Sequence, residues 1–342
     1  MYGLEVIMRV IFLLILIALP LSVLQAASPA AWPAHRLRGA NITLTITAED
    51  LEHFVQDWKG NSIRILVNDL LSDKAPYDPS PADKQKVYDC IDLCLKYGLY
   101  TVFSPSAAFR DNDKFFGDEA YKEAYISYWR ELASRYAANP GGVAYDLMNE
   151  PHDNLARTQW TAFARELTAV IRAVDTLHTI IVEPPDWGWP AGFDYLEPTG
   201  DRNTVYSFHF YGPMDYTHQR NQGMLKATEQ QWRGRVYPGQ LQGEYWDKEK
   251  IRAEFEKAFQ FRDRYSVPIW CGEFGVARWA IGAAQWTRDL IDILEEQRVG
   301  WAYYSYREWY AMDIEMSPEA RNQRTERTET ELVKLYKSYF AR

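Results

Sequence analysis

Eight short apolar or β-branched segments, set along residues 37–306 and separated by stretches of helical periodicity, constrain this chain more than any other feature. They read as strands at Leu37–Ile42, Ser62–Val67, Leu99–Ser104, Val143–Asn149, Thr179–Glu183, Val205–Tyr211, Pro268–Gly272 and Gly300–Tyr306. Strands that alternate with helices pair in parallel, and eight such units in one domain predict a closed (β/α)8 TIM barrel, an α/β fold. The helices carry signals of their own. Ser80-Pro81-Ala82-Asp83 places a capping serine, a first-turn proline and an acid ahead of Val87, Ile91, Cys94 and Leu95, and Gly98 then stops that helix. Similar apolar spacing predicts helices over Tyr121–Tyr136, Phe163–Val174, Ile251–Phe261 and Trp286–Leu294.

The N-terminus reads differently. Met8-Arg9 leads into the apolar run Val10 to Leu19, and Ala26-Ala27 supplies small residues, so residues 1–27 are read as a secretory signal peptide. Residues 1–7 carry Glu5 and no Lys or Arg, which makes Met8 the better start. The alternative is a membrane anchor, against which the apolar core falls short of the roughly 20 residues that span a bilayer. Residues 28–342 are expected to form one catalytic domain, because no linker, repeat or low-complexity tract divides them. The expected destination is outside the cell or the periplasm, with no membrane insertion after cleavage.

A formal charge of -9 with scattered Lys and Arg argues against a nucleic-acid partner, whose phosphates call for clustered cations. Three cysteines cannot complete a disulfide framework; Cys90, Cys94 and Cys271 are read as buried thiols. The six histidines are dispersed, so no metal site is expected. The chain is rich in flat rings, with 13 Trp and 23 Tyr, which suit sugar stacking but also fill large cores.

In barrels of this kind the active site lies at the carboxyl ends of the strands. Asn149, Glu150, His209, Tyr211 and Glu273 all fall there. Cleaving an acetal near neutral pH needs one carboxylic acid to protonate the leaving oxygen and one carboxylate facing the developing oxocarbenium ion. Glu150 and Glu273, which both follow short apolar strands, can supply the pair. Glu183 also ends a strand and Glu244 lies in a long connection, and each is read as an ordinary acid on the surface or behind the site. Gly212 to Lys248 far exceeds a usual βα connection of about 2 to 6 residues. It holds Tyr216, His218, Trp232, Tyr237, Tyr245 and Trp246, and is expected to line the cleft.

Taken together, Arg38-Gly39-Ala40-Asn41, Arg64 in Ser62-Ile63-Arg64-Ile65, Leu147-Met148-Asn149-Glu150-Pro151, His209-Phe210-Tyr211 and Gly272-Glu273-Phe274-Gly275 resemble glycoside hydrolase family 5, the cellulase family. The resemblance covers about residues 36–312, with each element on the corresponding strand. It implies that Glu150 is the general acid/base and Glu273 the nucleophile of a retaining hydrolase. It further implies that Arg64 and Tyr211 hold Glu273, and that Asn149 meets the sugar 2-hydroxyl. His209 and Arg64 also admit structural readings, as a satisfied core histidine and a barrel ion pair. Asn41-Ile42-Thr43 fits a glycosylation sequon but sits on a predicted strand and is set aside.

Two departures from the family pattern bear on substrate. A histidine common at the end of the third strand is replaced by Ser104-Pro105-Ser106. The tryptophan that usually floors the cleaved sugar has Tyr304 in its place, with Trp309 as a substitute. Trp187 and Trp189 are further stacking candidates or rim packing. The expected activity is cleavage of a β-1,4-linked glucan, with β-mannanase, exo-β-glucosidase and a non-catalytic sugar-binding barrel as alternatives. The expected partner is a poly- or oligosaccharide met by a monomer, without metal or organic cofactor.

Overall fold

The computed structural model describes residues 32–33, 37–68, 70–106, 112–139, 141–219, 235–320 and 326–342. The stretch read as a signal peptide lies outside them. Strands β1 (Arg38–Ile42), β2 (Ser62–Val67), β3 (Tyr100–Pro105), β4 (Val143–Asp146), β5 (Thr179–Val182) and β6 (Thr204–Phe210) are followed by a small hairpin, β7 (Gly239–Leu241) and β8 (Glu244–Trp246), then β9 (Ile269–Phe274) and β10 (Gly300–Tyr303). All but the hairpin close into one barrel in the order β1-β10-β9-β6-β5-β4-β3-β2. Every neighbouring pair in it is parallel. The (β/α)8 expectation holds.

Helices α1 (Ala48–Gln56), α2 (Pro81–Lys96), α3 (Asn112–Gly117), α4 (Glu119–Tyr136), α5 (Asp153–Arg172), α6 (Met214–Thr217), α7 (Lys248–Glu254), α8 (Glu256–Tyr265), α9 (Ala283–Glu296) and α10 (Glu331–Phe340) cover the strands. The α2 signals act as read: Ser80 Oγ accepts the Asp83 N–H at 3.1 Å, and Gly98 ends the helix at φ +73°. Helix α5 begins well before Phe163, because Ala156 and Trp160 extend its buried face. The fifth unit departs from the pattern. After β5 comes only a 3-10 turn, Pro190–Tyr195. Pro184 and Pro185 followed by positive φ at Asp186, Trp187 and Gly188 leave no run in which an α-helix could propagate.

Alternation along the strands sorts their side chains. On β2 the odd positions Ile63, Ile65 and Val67 pack against the helices, while Arg64 points into the barrel; on β6 Tyr206, Phe208 and Phe210 face out, and Val205 and His209 face in. The bottom of the lumen is plugged by Val102, Ala144, Ile181, Val205, Trp270 and Ala302. Above that plug sits a buried polar layer. Cys90, Cys94 and Cys271 are buried and unbridged, as expected of core thiols.

Candidate active site

The polar layer is organised by Arg64, whose side chain is completely buried. Its Nε donates to Asp146 at 2.9 Å, Nη1 to Asn41 and Glu273 at 2.9 Å each, and Nη2 to Ser104 at 2.7 Å, Asn149 at 2.8 Å and Glu183 at 2.7 Å. Burial alone would weaken the guanidinium's hold on its proton, but Asp146, Glu183 and Glu273 outweigh it and raise the pKa. A buried cation of this kind is tolerable only with such partners. Asn41 bonds Arg64 through its oxygen and the Gly272 carbonyl through its amide at 2.9 Å. Its burial inside the barrel rules out the sequon.

Strand β4 ends at Asp146, sooner than predicted, but the chain beyond it stays tied to its neighbours, with the Leu147 N–H on the Ile181 carbonyl at 3.0 Å and Asn149 in a parallel bridge with Ser106. Asn149 is held there by its N–H on the Pro105 carbonyl at 2.9 Å. Glu150 follows at φ +53°, an uncommon conformation for a residue with a Cβ, and donates its N–H to Glu183 Oε2 at 2.8 Å. Glu273 arrives from within β9, where a register shift against β6 pairs it with His209. Tyr211 donates to Glu273 Oε1 at 2.5 Å, while Arg64 holds Oε2. The carboxylates of Glu150 and Glu273 each bring an oxygen, and His209 a nitrogen, within 4.8 Å of one another.

His209 is fully enclosed between three carboxylates. Its Nδ1 lies 2.9 Å from Glu150 and 3.5 Å from Glu273, and its Nε2 lies 3.1 Å from Glu183. Burial disfavours the imidazolium, but the charges of Glu183 and Glu273 and the bonds to Glu150 and Glu183 prevail and lift its pKa to about 10. As an imidazolium the ring carries a proton on each nitrogen, one facing Glu150 and the other Glu183. Burial, opposed by His209 and reinforced by the charge of Glu273, raises Glu150 to about 7. Glu183 goes the other way: burial pushes it up, but His209 and Arg64 bring it down to about 2. Asp146 stays well above the carboxylate range because it is buried and faces the charge of Glu183, which together outweigh Arg64.

Over this layer opens a cavity of about 550 Å³ whose floor includes Glu150, Glu273 and Tyr211. Its walls bring in Trp187, Trp189, His218, Tyr304 and Trp309, all among the expected candidates, and also Met214 and Glu308. Trp187 stacks on His152 with ring centroids 3.7 Å apart, and His152 Nδ1 lies 2.8 Å from the Glu150 carbonyl oxygen. Tyr304, just past β10, is fixed by its N–H on the Phe274 carbonyl at 2.7 Å and pairs with Glu308. All nine sequence-predicted residues therefore meet, Arg64, Asn149 and His209 behind the cleft and the rest along it. Sequence reasoning missed Asp146 and Glu308, and of its two readings of Glu183, an acid on the surface or one behind the site, the second holds. Glu308 lies beside the noted Trp309, but one carboxylate in a loop carries no signal of direction.

The long connection contributes less than expected. Among its described residues Met214 and His218 line the cleft, whereas Tyr216 and Tyr237 are buried and donate to the Ile281 carbonyl at 2.9 Å and to Asp289 at 2.8 Å. Tyr245 and Glu244 are exposed on the hairpin, and Trp232 lies outside the described residues. A larger hollow, about 830 Å³, runs down the flank between α5 and α8 where the fifth helix is lacking. It holds neither glutamate of the pair.

Comparison with known proteins agrees with this geometry. Residues 25–308 match the family described as Cellulase (glycosyl hydrolase family 5). Endoglucanase C of Acetivibrio thermocellus is 29% identical over 259 residues, spanning 68% of this chain and 74% of that protein. Cellodextrinase A of Ruminococcus flavefaciens is 25% identical over 247 residues, 67% of this chain and 70% of its own. The crystal structure of endoglucanase Cel5A from Thermotoga maritima superposes with a TM-score of 0.75 at 24% identity, covering 89% of this chain and 98% of that one. The same enzyme in complex with mannotriose gives 0.76 at 23% identity, with coverage of 89% and 98%. With the family matched across most of its length, this chain belongs to glycosyl hydrolase family 5, the cellulases.

Proposed function

We propose that the protein is a retaining endoglucanase, exported from the cell, that cleaves β-1,4-linked glucan with Glu273 as nucleophile and Glu150 as general acid/base. The observation that carries this reading is that an oxygen of each carboxylate comes within 4.8 Å of one of the other. Retaining glycosidases hold their carboxyl groups about 5 to 5.5 Å apart, whereas inverting ones leave about 6.5 to 9.5 Å for a water. Glu273, with Arg64 and Tyr211 as donors, attacks the anomeric carbon, and Glu150 gives its proton to the departing oxygen. Glu150 then takes a proton from water, whose oxygen displaces Glu273 and restores both residues. An oxygen of Glu150 that titrates near 7 suits both halves of this cycle. Asn149, held by Arg64, is placed to meet the 2-hydroxyl, and Trp187, Tyr304 and Trp309 supply ring faces.

A mannan-cleaving reading has specific support in the Thermotoga maritima neighbour solved with mannotriose. A purely sugar-binding barrel has no use for an acid poised near neutrality beside a second carboxylate. Cellulose, mannan, mixed-linkage glucan and xyloglucan, assayed side by side with product lengths followed over time, test the reading. Early release of mixed oligosaccharides from glucan is expected; stepwise release of single sugars, or preference for mannan, would replace it. Residues 8–27 supply the export signal in this reading, and N-terminal sequencing of the mature protein near residue 28 checks it.

A further inference from the structure

Glu183 has no part in the reaction just described, yet both its oxygens are committed to residues that do. Oε1 lies 2.7 Å from Arg64 and 3.1 Å from His209 Nε2, and Oε2 accepts the Glu150 N–H at 2.8 Å. The opposite nitrogen of His209 returns to the Glu150 carboxyl at 2.9 Å. The three residues therefore form a closed ring, from the Glu183 carboxylate through the imidazole to the Glu150 side chain and back through its own backbone. Gly188 seals it. At φ +70° its carbonyl accepts the His209 N–H at 2.8 Å, and a Cβ there would stand 3.1 Å from the imidazole and 3.2 Å from Glu183. The end of β5 is pinned as well, since Trp160 Nε1 donates to the Glu183 carbonyl at 2.7 Å.

We propose that Glu183 is a positioning residue for the acid: through His209 and through the Glu150 backbone it governs when the Glu150 carboxyl carries its proton. This rests on the reading of Glu150 as the acid/base. The ionisable groups facing the ring are Arg64 from β2, Asp146 from β4, Tyr211 after β6 and Glu273 from β9. Burial keeps the Asp146 proton in place and raises the Tyr211 phenol well above its usual range, so neither changes charge near neutrality. The negative charge of Glu183 keeps His209 an imidazolium. An imidazolium donating to Glu150 favours its ionised form and so restrains a pKa that burial drives upward. Without that charge His209 becomes neutral as pH rises, and Glu150 keeps its proton longer.

The test is Glu183→Gln, which keeps the shape and removes the charge; its one remaining oxygen can accept from Arg64 or from the Glu150 N–H, but not from both. Its alkaline limb in kcat/KM on glucan is expected to move upward by about one pH unit. Formation of the glycosyl-enzyme from a dinitrophenyl glycoside, which needs no acid, is expected to stay near the unaltered rate. An unmoved limb overturns the proposal, and so does a downward shift, the sign for a simple like charge acting on Glu150. Should the variant not fold, nitrogen NMR of the unaltered protein decides: His209 doubly protonated at pH 8 supports the proposal, and a neutral ring overturns it. Azide rescue of Glu150→Ala separates the two readings. If rescue fails, the acid/base reading is lost; if it succeeds and the Glu183→Gln limb stays put, only the role of Glu183 is.

Discussion

Glu273 stands directly across from His209 on the neighbouring strand, although simple alternation from Trp270 would turn it outward to the helices. The register shifts between Phe208 and His209, so one residue of β9 goes unmatched and Glu273 is turned into the lumen. Gly272 is the residue that permits this. A Cβ there would lie 2.4 Å from Ser207 Oγ and 3.1 Å from the Trp270 ring. Gly272→Ala is therefore expected to destabilise the fold by about 1 to 3 kcal/mol and to lower activity through a displaced Glu273. Urea unfolding with and without Ser207→Ala, which removes the clashing oxygen, checks the cause. Recovery of stability in the double variant is expected, and simple addition of the two effects would place the strain elsewhere.

Glu273→Gln keeps the shape of the side chain but cannot attack the anomeric carbon. Turnover should fall by about 10³-fold or more, while the unfolding midpoint and the affinity for oligosaccharide stay close to the original. Residual activity near a tenth of the original would mean that the nucleophile is another residue.

The pH profile follows from Glu150. The acid must be protonated to act, and its pKa is raised to about 7, the net of burial driving it up, the bond to His209 holding it down and the charge of Glu273 adding to the rise. Rates on polysaccharide should therefore decline as pH climbs through about 7. A profile flat to pH 9 in kcat/KM would contradict that assignment.

The barrel was legible in the sequence because its strands alternate so plainly: Ile63, Ile65 and Val67 against Arg64 show two faces at once. Glu150 and Glu273 were legible because each closes a short apolar run. The lumen was not. Asp146 and Glu183 become partners only when β2, β4 and β5 curve around one guanidinium, a closeness that no spacing along the chain encodes. The bulge at Gly272 was hidden for a related reason, since an unmatched residue exists only relative to its neighbour strand. The missing fifth helix was written in Pro184-Pro185 and Gly188-Trp189-Pro190, and an expectation of eight equal units passed over it. Tyr216 and Tyr237 show the converse, aromatic content in a loop that serves packing instead of substrate.

Trp309 and Tyr304 flank the cleft with ring centroids 6.4 Å apart, and Glu308 pairs with Tyr304 in the same wall. Trp309→Ala should raise KM on glucan with a smaller change in kcat, because a stacking face holds ground state and transition state alike. A fall in kcat at constant KM would instead tie the ring to the chemical step.

Glu150→Ala separates the acid from the nucleophile. Protonation matters most when the leaving group is another sugar and least when it is already a stable anion such as dinitrophenolate. The variant should lose orders of magnitude on polysaccharide yet form the glycosyl-enzyme readily from a dinitrophenyl glycoside. Breakdown should then be slow, since no base remains to draw a proton from water. Azide needs no such base. With Glu150 reduced to a methyl group, the anion gains room beside Glu273 and loses a like charge that would repel it. Added azide should therefore restore turnover and yield a β-glycosyl azide, the β configuration reporting two displacements. Equal losses on both substrates without rescue, in a variant that still folds, would remove Glu150 from the role. Glu183 could not then step in unchanged, since the charges of His209 and Arg64 hold it near 2 against the pull of burial, far too acidic to deliver a proton at neutral pH.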